Sequence, residues 1–559
     1  MKLALAQINP TVGDFPGNIR KIVDTTRAAD DCGADLVIFP ELAICGYFPA
    51  DLLEKRSFLE RTQDALHRVA EQATEGRKIS VLCGCVTAAA EATGKRVMNS
   101  AALLRRGRID FVQSKMLLPY YDVFDEQRYF APASSQSVFG LAGERLGITI
   151  CEDAWNDKDF WPQRLYPMDP VESLMQQGAT LILNISASPF SRGKRETRQK
   201  MLTALARRHK VTVVMVNQIG GNDSLIFDGS SLAIDAQGNC IGRAKSFHED
   251  LVIVDTSASK ARPVEQSSVA EEGEDAAIYQ ALVLGTRDYV RKCGFSKVIV
   301  GLSGGIDSAL VACLAVEALG SENVLGVGMP SEYSSPGSVE DARQLACNLG
   351  IEWRLIPIRS MFRAHLEALR PLLNPSAEDV TEENLQSRIR GALLMALSNN
   401  RSALVLTTGN KSEMSTGYCT LYGDMVGALA VIGDVYKTLV YGLAAYVNRE
   451  QEVIPKSTLT KPPSAELRPG QQDTDCLPPY DVLDPILEAY VEHYATAEMI
   501  VEASSSNASG TLDMELVRSV VRMVEKSEYK RQQAAPVLKV TQKSFGSGRR
   551  FPIAVQVRI

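Results

Sequence analysis

Histidine is scarce in this chain of 559 residues. The five that occur, at positions 67, 209, 248, 365 and 493, lie too far apart in sequence to suggest a zinc centre. Long apolar runs are missing as well. No window approaches the ~18 residues that a membrane span needs, and the opening MKLALAQINP is too short an apolar stretch for a signal peptide. There is no extended basic run, and a formal charge of -7 with a pI near 5.6 argues against a nucleic-acid partner. Cysteine is present but without a framework. Eleven residues, an odd number, are scattered from Cys32 to Cys476, which fits free thiols in a reducing cytoplasm. Cys83 and Cys85 alternate along a strand and read as core. Also absent is the GxxxxGK[ST] string of the common nucleotide loop, and with it the lysine that reaches a terminal phosphate.

What stands in its place is the SGGIDS string, Ser303–Ser308. The apolar run Val298–Val300 reads as a buried strand, Gly301, Gly304 and Gly305 as a turn, and the residues from Asp307 to Leu319 as a helix. A strand, a glycine turn and a helix N-terminus together make an anion cradle, because unpaired N–H groups and the helix dipole converge there. With Ser303, Ser308 and Asp307 in place of lysine, the loop suits a pyrophosphate with a Mg²⁺ ion at Asp307.

The length allows two or more domains, and 45% hydrophobic with 23% charged residues is the composition of a globular protein. In the first half, apolar strands repeatedly end on reactive residue types. Leu36–Phe39 ends at Pro40 and Glu41, Ile109–Gln113 delivers Lys115, and Leu146–Ile150 stops at Cys151. A cysteine at a strand-to-turn junction can act as a nucleophile when a base takes its proton and a cation faces the oxyanion. Glu41 is the candidate base and Lys115 the candidate cation. A polar stretch, 259–275, reads as a linker between domains at 1–258 and 276–559, and the serine-rich 504–510 reads as a loop. In the second half, strands at Val324–Met329, Glu352–Ile356 and Ala403–Leu406 alternate with helices, as a doubly wound parallel sheet requires. The ligand crevice of such a sheet lies at the C-terminal ends of its strands, so residues 408–413 are expected to face the SGGIDS cradle, with Glu413 beside Asp307.

The segments FPELAICGY (39–47), KMLLPYYDVFDEQRYF (115–130) and ICEDAW (150–155) resemble the nitrilase, or carbon–nitrogen hydrolase, family. The resemblance implies a four-layer αββα sandwich with a catalytic Glu41, Lys115 and Cys151. NISASPFSRGK (184–194) is similar to the segment that glutamine-hydrolysing members use for substrate, which implies that Tyr121, Ser188 and Lys194 bind glutamine. Tyr120 departs from the family pattern, where asparagine is common. The later strings SGGIDS, MPSEYSS, ENLQSRIRGALLMALSN, TTGNKSEMSTGYCTLYGDMVGALAVIGDVYKT, KPPSAEL and EYKRQQ follow the order found in NAD synthetase domains. By that resemblance Gly301, Leu302, Ser303, Gly304, Gly305, Ile306, Asp307 and Ser308 bind ATP, with Thr408, Lys437 and Ser464. Asp307 and Glu413 hold Mg²⁺. Asn384, Arg388, Glu413, Tyr418, Cys419, Thr420, Leu421, Asp424 and Lys530 line the deamido-NAD site, Leu421 standing where stand-alone members carry lysine. The resemblance further implies deamido-NAD, ATP and glutamine as substrates and an even homo-oligomer.

Such a pairing answers a chemical problem. A carboxylate exchanges oxygen for nitrogen only after activation, and ammonia is largely protonated in water near pH 7. Adenylation by ATP supplies the first need and hydrolysis of glutamine, with ammonia passed on internally, the second. Two other readings stay open on the residues alone: a different pyrophosphate-releasing amidotransferase, and an amidase whose second half only senses nucleotide; against a third, a thiolating tRNA enzyme, stand the acidic balance and the lack of a paired cysteine beside the loop.

Overall fold

Along the first strand, Lys2–Gln7, successive side chains turn to opposite faces, and both faces are apolar. Leu3 and Leu5 enter one core while Ala4 and Ala6 enter another. A strand of this kind belongs to a sheet covered on both sides. The computed structural model describes residues 1–89, 94–256, 273–374, 379–505 and 512–556, which fall into two compact units, Met1–Gly273 and Glu274–Ile559. Most of the expected linker (259–275) and of the expected loop (504–510) lies outside the described residues. The first helix of unit two begins at Glu274, inside the end of that linker range.

Unit one contains β1 (Lys2–Gln7), β2 (Leu36–Ile38), β3 (Ser80–Ala88), β4 (Val97–Arg105), β5 (Arg108–Ser114), β6 (Phe139–Leu141) and β7 (Glu144–Ile150). There follow β8 (Leu181–Ser186), β9 (Thr212–Asn217), the hairpin β10 (Ile219–Asn222) and β11 (Leu225–Asp228), then β12 (Leu232–Ile234), β13 (Cys240–Arg243) and β14 (Asp250–Asp255). Two six-stranded sheets result, in the orders β14-β1-β2-β3-β4-β5 and β13-β12-β9-β8-β7-β6. Their inner faces share one core, in which Leu5, Ile38 and Leu103 meet Ile148, Leu183 and Val216. The outer face of the first sheet packs under α1 (Phe15–Asp31) and α2 (Arg56–Thr74) through Ile19, Ile22, Leu66 and Val69. The outer face of the second packs under α3 (Pro170–Gln176) and α4 (Lys194–His209) through Leu174, Leu202 and Leu205. The parity is strict in β9, where Val214 and Val216 point inward and Val213 and Met215 point outward. The result is the expected αββα sandwich.

Unit two is built on β15 (Val298–Gly301), β16 (Val324–Gly328), β17 (Glu352–Leu355), β18 (Leu404–Thr407) and β19 (Leu429–Ala430), all parallel, in the order β17-β16-β15-β18-β19. The helices are α5 (Glu274–Lys292), α6 (Ile306–Leu319), α7 (Pro336–Leu349), α8 (Arg359–Leu369), α9 (Thr381–Arg401), α10 (Lys411–Thr416) and α11 (Lys437–Val447), with further helices up to Arg531. Phe362 of α8 and Ile389 and Leu394 of α9 cover one sheet face over Ile299, Val327 and Val405. The strand order reverses between β15 and β18. A crevice opens at such a switch point, and here it receives the turn after β15 and the segment after β18. None of the described helices is long and apolar enough to cross a membrane.

Candidate active sites

In unit one, Glu41 follows β2, Lys115 follows β5 and Cys151 follows β7, so three strand ends from two sheets converge. Gly84 makes room for the first of them. A Cβ there would stand 2.1 Å from the Leu42 nitrogen and 2.6 Å from the Glu41 Cα, so only glycine lets β3 pass this close. Lys115 and Glu41 are both fully buried, and Lys115 Nζ donates to Glu41 Oε1 at 2.8 Å. A second carboxylate, Glu126, accepts from the same ammonium at 2.8 Å. Asn99 Nδ2 donates to Glu41 Oε1 at 2.7 Å and the Ala187 amide to Oε2 at 2.8 Å, while the Tyr47 hydroxyl donates to Glu126 Oε1 at 2.9 Å. Every oxygen of Glu41 is therefore oriented.

Cys151 sits at φ +44, a left-handed backbone conformation that ends the strand sharply. Asp153 fixes that turn, accepting from the amides of Ile150 at 3.0 Å, Met116 at 3.0 Å and Leu117 at 2.8 Å. One carboxylate thus ties the Cys151 turn to the residues after Lys115. Burial raises the Cys151 thiol well above its usual range and the charge on Glu41 adds to the rise, while Lys115 opposes it. The resting group is a thiol whose proton must go to a neighbouring base. Burial also lifts Glu126 to about 7, against the pull of Lys115. Burial works against the Lys115 ammonium, but Glu126 and Glu41 outweigh it and hold its pKa well above the usual lysine value.

The residues expected around glutamine fall into two sets. The Tyr121 hydroxyl lies 3.0 Å from each oxygen of Glu152, the residue after the cysteine. The Lys194 ammonium, at the start of α4, lies over the Trp155 ring at 5.5 Å; burial raises the Glu152 pKa, against the pull of Lys115, Tyr121 and, more weakly, Lys194. Glu152 is thus a nearly buried acceptor suited to an α-amino group. Ser188 follows β8 and is held by Asn217, its amide donating to Oδ1 at 2.8 Å. It adjoins Ala187, the residue that holds Glu41. Glu126, Asn99 and Glu152 were not singled out from sequence. Glu126 and Glu152 lie inside the motifs already quoted, whereas Asn99 carries no local signal.

In unit two, Gly304 turns at φ +79, and a Cβ there would lie 2.2 Å from the Ser338 carbonyl oxygen, so the turn demands glycine. Around it Ser303 Oγ and Ser308 Oγ lie 3.2 Å apart, Ser308 Oγ donates to the Gly305 carbonyl at 3.0 Å, and the Gly305 amide donates to Ser303 Oγ at 3.1 Å. A cavity over this cradle is lined by Gly301, Leu302, Ser303, Gly305, Ile306, Asp307 and Ser308, and by Thr408, Glu413, Lys437, Ser464, Tyr418 and Asp424. Asn410 caps α10 and links its parts. It accepts from the Glu413 amide at 3.0 Å, and its Nδ2 donates to Asp307 Oδ1 at 2.9 Å. The Lys437 ammonium pairs with Asp307 and lies 3.9 Å from Glu413. Burial, then the like charge on Asp307, pushes Glu413 well above the carboxylate range.

The segment 408–413 was expected to face the crevice as a whole; only part of it does. Lys411, fully buried, turns the other way onto Asp434 at 2.9 Å and Glu492 at 2.7 Å, and Ser412 donates to Asp484. Lys411 opens α10, where successive side chains turn around the helix axis, so Lys411 and Ser412 leave the face that carries Glu413. Asn384, Arg388, Cys419, Thr420, Leu421 and Lys530 do not line the cavity. They form an adjoining frame instead. Thr420 Oγ1 donates to Asn384 at 2.7 Å, Arg388 to the Leu421 carbonyl at 3.2 Å, and Lys530 to the carbonyls of Gly417 at 2.7 Å and Cys419 at 2.8 Å.

Residues 2–266 match the carbon-nitrogen hydrolase family and residues 278–534 the NAD synthase family. The chain is 50% identical over 556 residues to the glutamine-dependent NAD(+) synthetase of Synechocystis, covering 99% of this chain and 98% of that one. It is 44% identical to that of Thermotoga maritima over 588 aligned residues, with coverage of 99% and 98%. A solved glutamine-dependent NAD+ synthetase from Acinetobacter baumannii, in complex with adenosine diphosphate, superposes with a TM-score of 0.77 at 41% identity, over 99% of this chain and 98% of that one.

Proposed function

The chain belongs to the family of glutamine-dependent NAD(+) synthetases, and on that premise we propose that it amidates deamido-NAD to NAD with glutamine as nitrogen source and ATP as activator. In unit one, the Cys151 sulfur attacks the side-chain amide carbon of glutamine while Glu41 takes the thiol proton. Lys115 faces the oxyanion. Glu41 returns the proton to the departing nitrogen, ammonia leaves, and a thioester remains. Water then cleaves the thioester, giving glutamate and restoring the thiol. Tyr121, Glu152, Lys194 and Ser188 hold the amino-acid end of the substrate.

In unit two, a carboxylate oxygen of deamido-NAD attacks the α-phosphorus of ATP, the α–β bridging bond breaks, and pyrophosphate leaves. The lone pair of ammonia then attacks the acyl carbon, AMP departs, and the new amide nitrogen sheds a proton. Residues 301–308, Lys437 and Ser464 take the phosphates and Thr408 lies by the adenosine. Asn384, Arg388, Tyr418, Cys419, Thr420, Leu421, Asp424 and Lys530 shape the dinucleotide site, with Glu413 at its edge. The donor set fits Mg²⁺: Asp307 and Glu413 are hard oxygen donors whose negative charges already burden one another. Those two carboxylates would hold the ion, which would neutralise charge on the leaving pyrophosphate. An even homo-oligomer is part of the same reading, and sedimentation velocity would test it.

The observation that carries the reading is the pairing of two chemistries in one chain. A buried glutamate–lysine pair stands with a cysteine in unit one, and a phosphate cradle opposes Glu413 in unit two. Cys151→Ala is expected to abolish NAD formation from glutamine and to retain NAD formation from ammonium. Equal loss of both in a folded protein would refute the division.

A further inference from the structure

Lys437 pairs with Asp307, lies 3.9 Å from Glu413, and opens α11. A helix start leaves its first amides without partners inside the helix, and the residue before it ordinarily supplies a side-chain acceptor. Here that residue is Tyr436, whose side chain makes no capping bond. The amides are taken up from other elements instead. The Lys437 amide donates to Ser412 Oγ at 2.9 Å, and the Thr438 amide donates to Asp484 Oδ2 at 2.8 Å. Ser412 Oγ in turn donates to Asp484 Oδ1. Both carboxylate oxygens of Asp484 are therefore engaged, and a negative charge at a helix N-terminus is favourably placed against the dipole.

Ser412 belongs to α10 and directly precedes Glu413, whereas Asp484 lies on the helix Tyr480–Val491. Both are buried, and neither lines the cavity. A backbone bond ties the same elements, the Lys411 amide donating to the Val435 carbonyl at 2.9 Å. The cap of α11 is thus also a joint between α10 and α11. On one side of the Ser412 hydroxyl stands the residue that carries the Glu413 carboxylate, and on the other the residue that carries the Lys437 ammonium. An ordinary N-cap steadies only its own helix. This one fixes two charged side chains of the cradle against each other.

We propose that Asp484, acting through Ser412, is a positioning residue of the synthetase site: it sets where the Lys437 ammonium stands against Asp307 and Glu413, and thereby how tightly the phosphates of ATP are held. The inference rests on the synthetase reading above and deepens it with two residues that touch no substrate.

The affinity for ATP with Mg²⁺, read by titration calorimetry on the full chain, needs no turnover and tests this directly. Asp484→Ala leaves the Ser412 hydroxyl and the Thr438 amide without their acceptor, and is expected to raise the Kd for ATP about tenfold, as loss of a charged hydrogen-bond acceptor does. Lys437→Met is expected to raise it at least as far. The double variant should bind ATP no more weakly than Lys437→Met alone, because no ammonium is left to place. An unchanged Kd in Asp484→Ala would overturn the proposal. So would additive losses in the double variant, which would make Asp484 a general support of the fold. Should Asp484→Ala show no cooperative melting transition, Ser412→Ala takes its place, with an expected rise of about fivefold for a neutral hydrogen bond and the same non-additivity with Lys437→Met. Parent affinity in folded Ser412→Ala would then refute the joint. A different result would sink the synthetase reading: ATP binding by the unsubstituted protein without deamido-NAD-dependent exchange of labelled pyrophosphate into ATP.

Discussion

Lys115 is a fully buried ammonium held between two carboxylates, and the second of them decides how it behaves. Glu126 titrates near 7 because burial penalises its charge. Above that pH it is ionised and helps Glu41 hold the ammonium; below it, Glu41 is left alone. Glutamine hydrolysis is therefore expected to rise with pH through about 7, an ionisation absent from ammonium-fed synthesis. Glu126→Gln should remove that step from the pH profile and lower hydrolysis roughly ten- to a hundredfold, as loss of a charged hydrogen bond does. Stability runs the other way. A carboxyl whose folded pKa is raised stabilises the fold below its unfolded value and loses that contribution as pH rises through the folded one. Denaturant titrations at pH 5 and pH 8 should thus show the stability of the parent, relative to Glu126→Gln, falling with pH. Gly84 makes a second test at this scale. With backbone 2.1 Å from its missing Cβ, Gly84→Ala must push the Glu41 loop aside, at a cost of about 3 kcal/mol. A thermal melt within a degree or two of the parent would contradict that packing. Residues of this kind divide sharply in what their sequence reveals. Glu41, Lys115 and Cys151 are marked by strand ends, but Asn99 meets Glu41 only through the pairing of β3 with β4, and no local pattern announces it.

Elements were readable in proportion to their regularity. The strands that carry the sites are apolar runs with fixed parity, and each ends at the residue that acts. The strands that went unread have two to four residues: Phe139–Leu141, Ile219–Asn222, Leu225–Asp228, Leu232–Ile234, Cys240–Arg243 and Leu429–Ala430. The most consequential short element is α10, six residues long. Its capping box is a local device, yet it also sets the Asp307 and Glu413 carboxylates, because Asn410 holds both the Glu413 amide and Asp307. Asn410→Ala should cost about 1 kcal/mol of stability as an ordinary lost N-cap. Its effect on function should be larger than that, raising the Mg²⁺ and ATP requirements of pyrophosphate exchange while leaving glutamine hydrolysis intact. If only stability changed, the link from the cap to Asp307 would have no functional weight. The reversed direction of Lys411 belongs to the same element. Its charge is satisfied by Asp434 and Glu492, residues far along the chain, so sequence alone gave no reason to turn it from the crevice.

At the scale of the whole molecule, two units each hold a separate core and a separate reaction. The order of motifs along the chain made this organisation visible, because each motif set stays within one unit. How far the two reactions depend on each other is a different matter, and Asp307 offers a way to measure it. It lies in the cradle of unit two, bound by Asn410 and Lys437, whereas Cys151 belongs to unit one. Asp307→Asn keeps the size of the side chain and removes the charge that would hold the proposed Mg²⁺. NAD formation is expected to drop at least a hundredfold whether glutamine or ammonium is supplied, since a charged ligand to phosphate-bound metal is worth about 3 kcal/mol or more. Glutamate release from glutamine, followed separately, is expected to continue if unit one acts by its own residues alone. A matching fall in glutamate release would mean that hydrolysis waits on the state of the synthetase site, and the two activities would then have to be treated as one cycle.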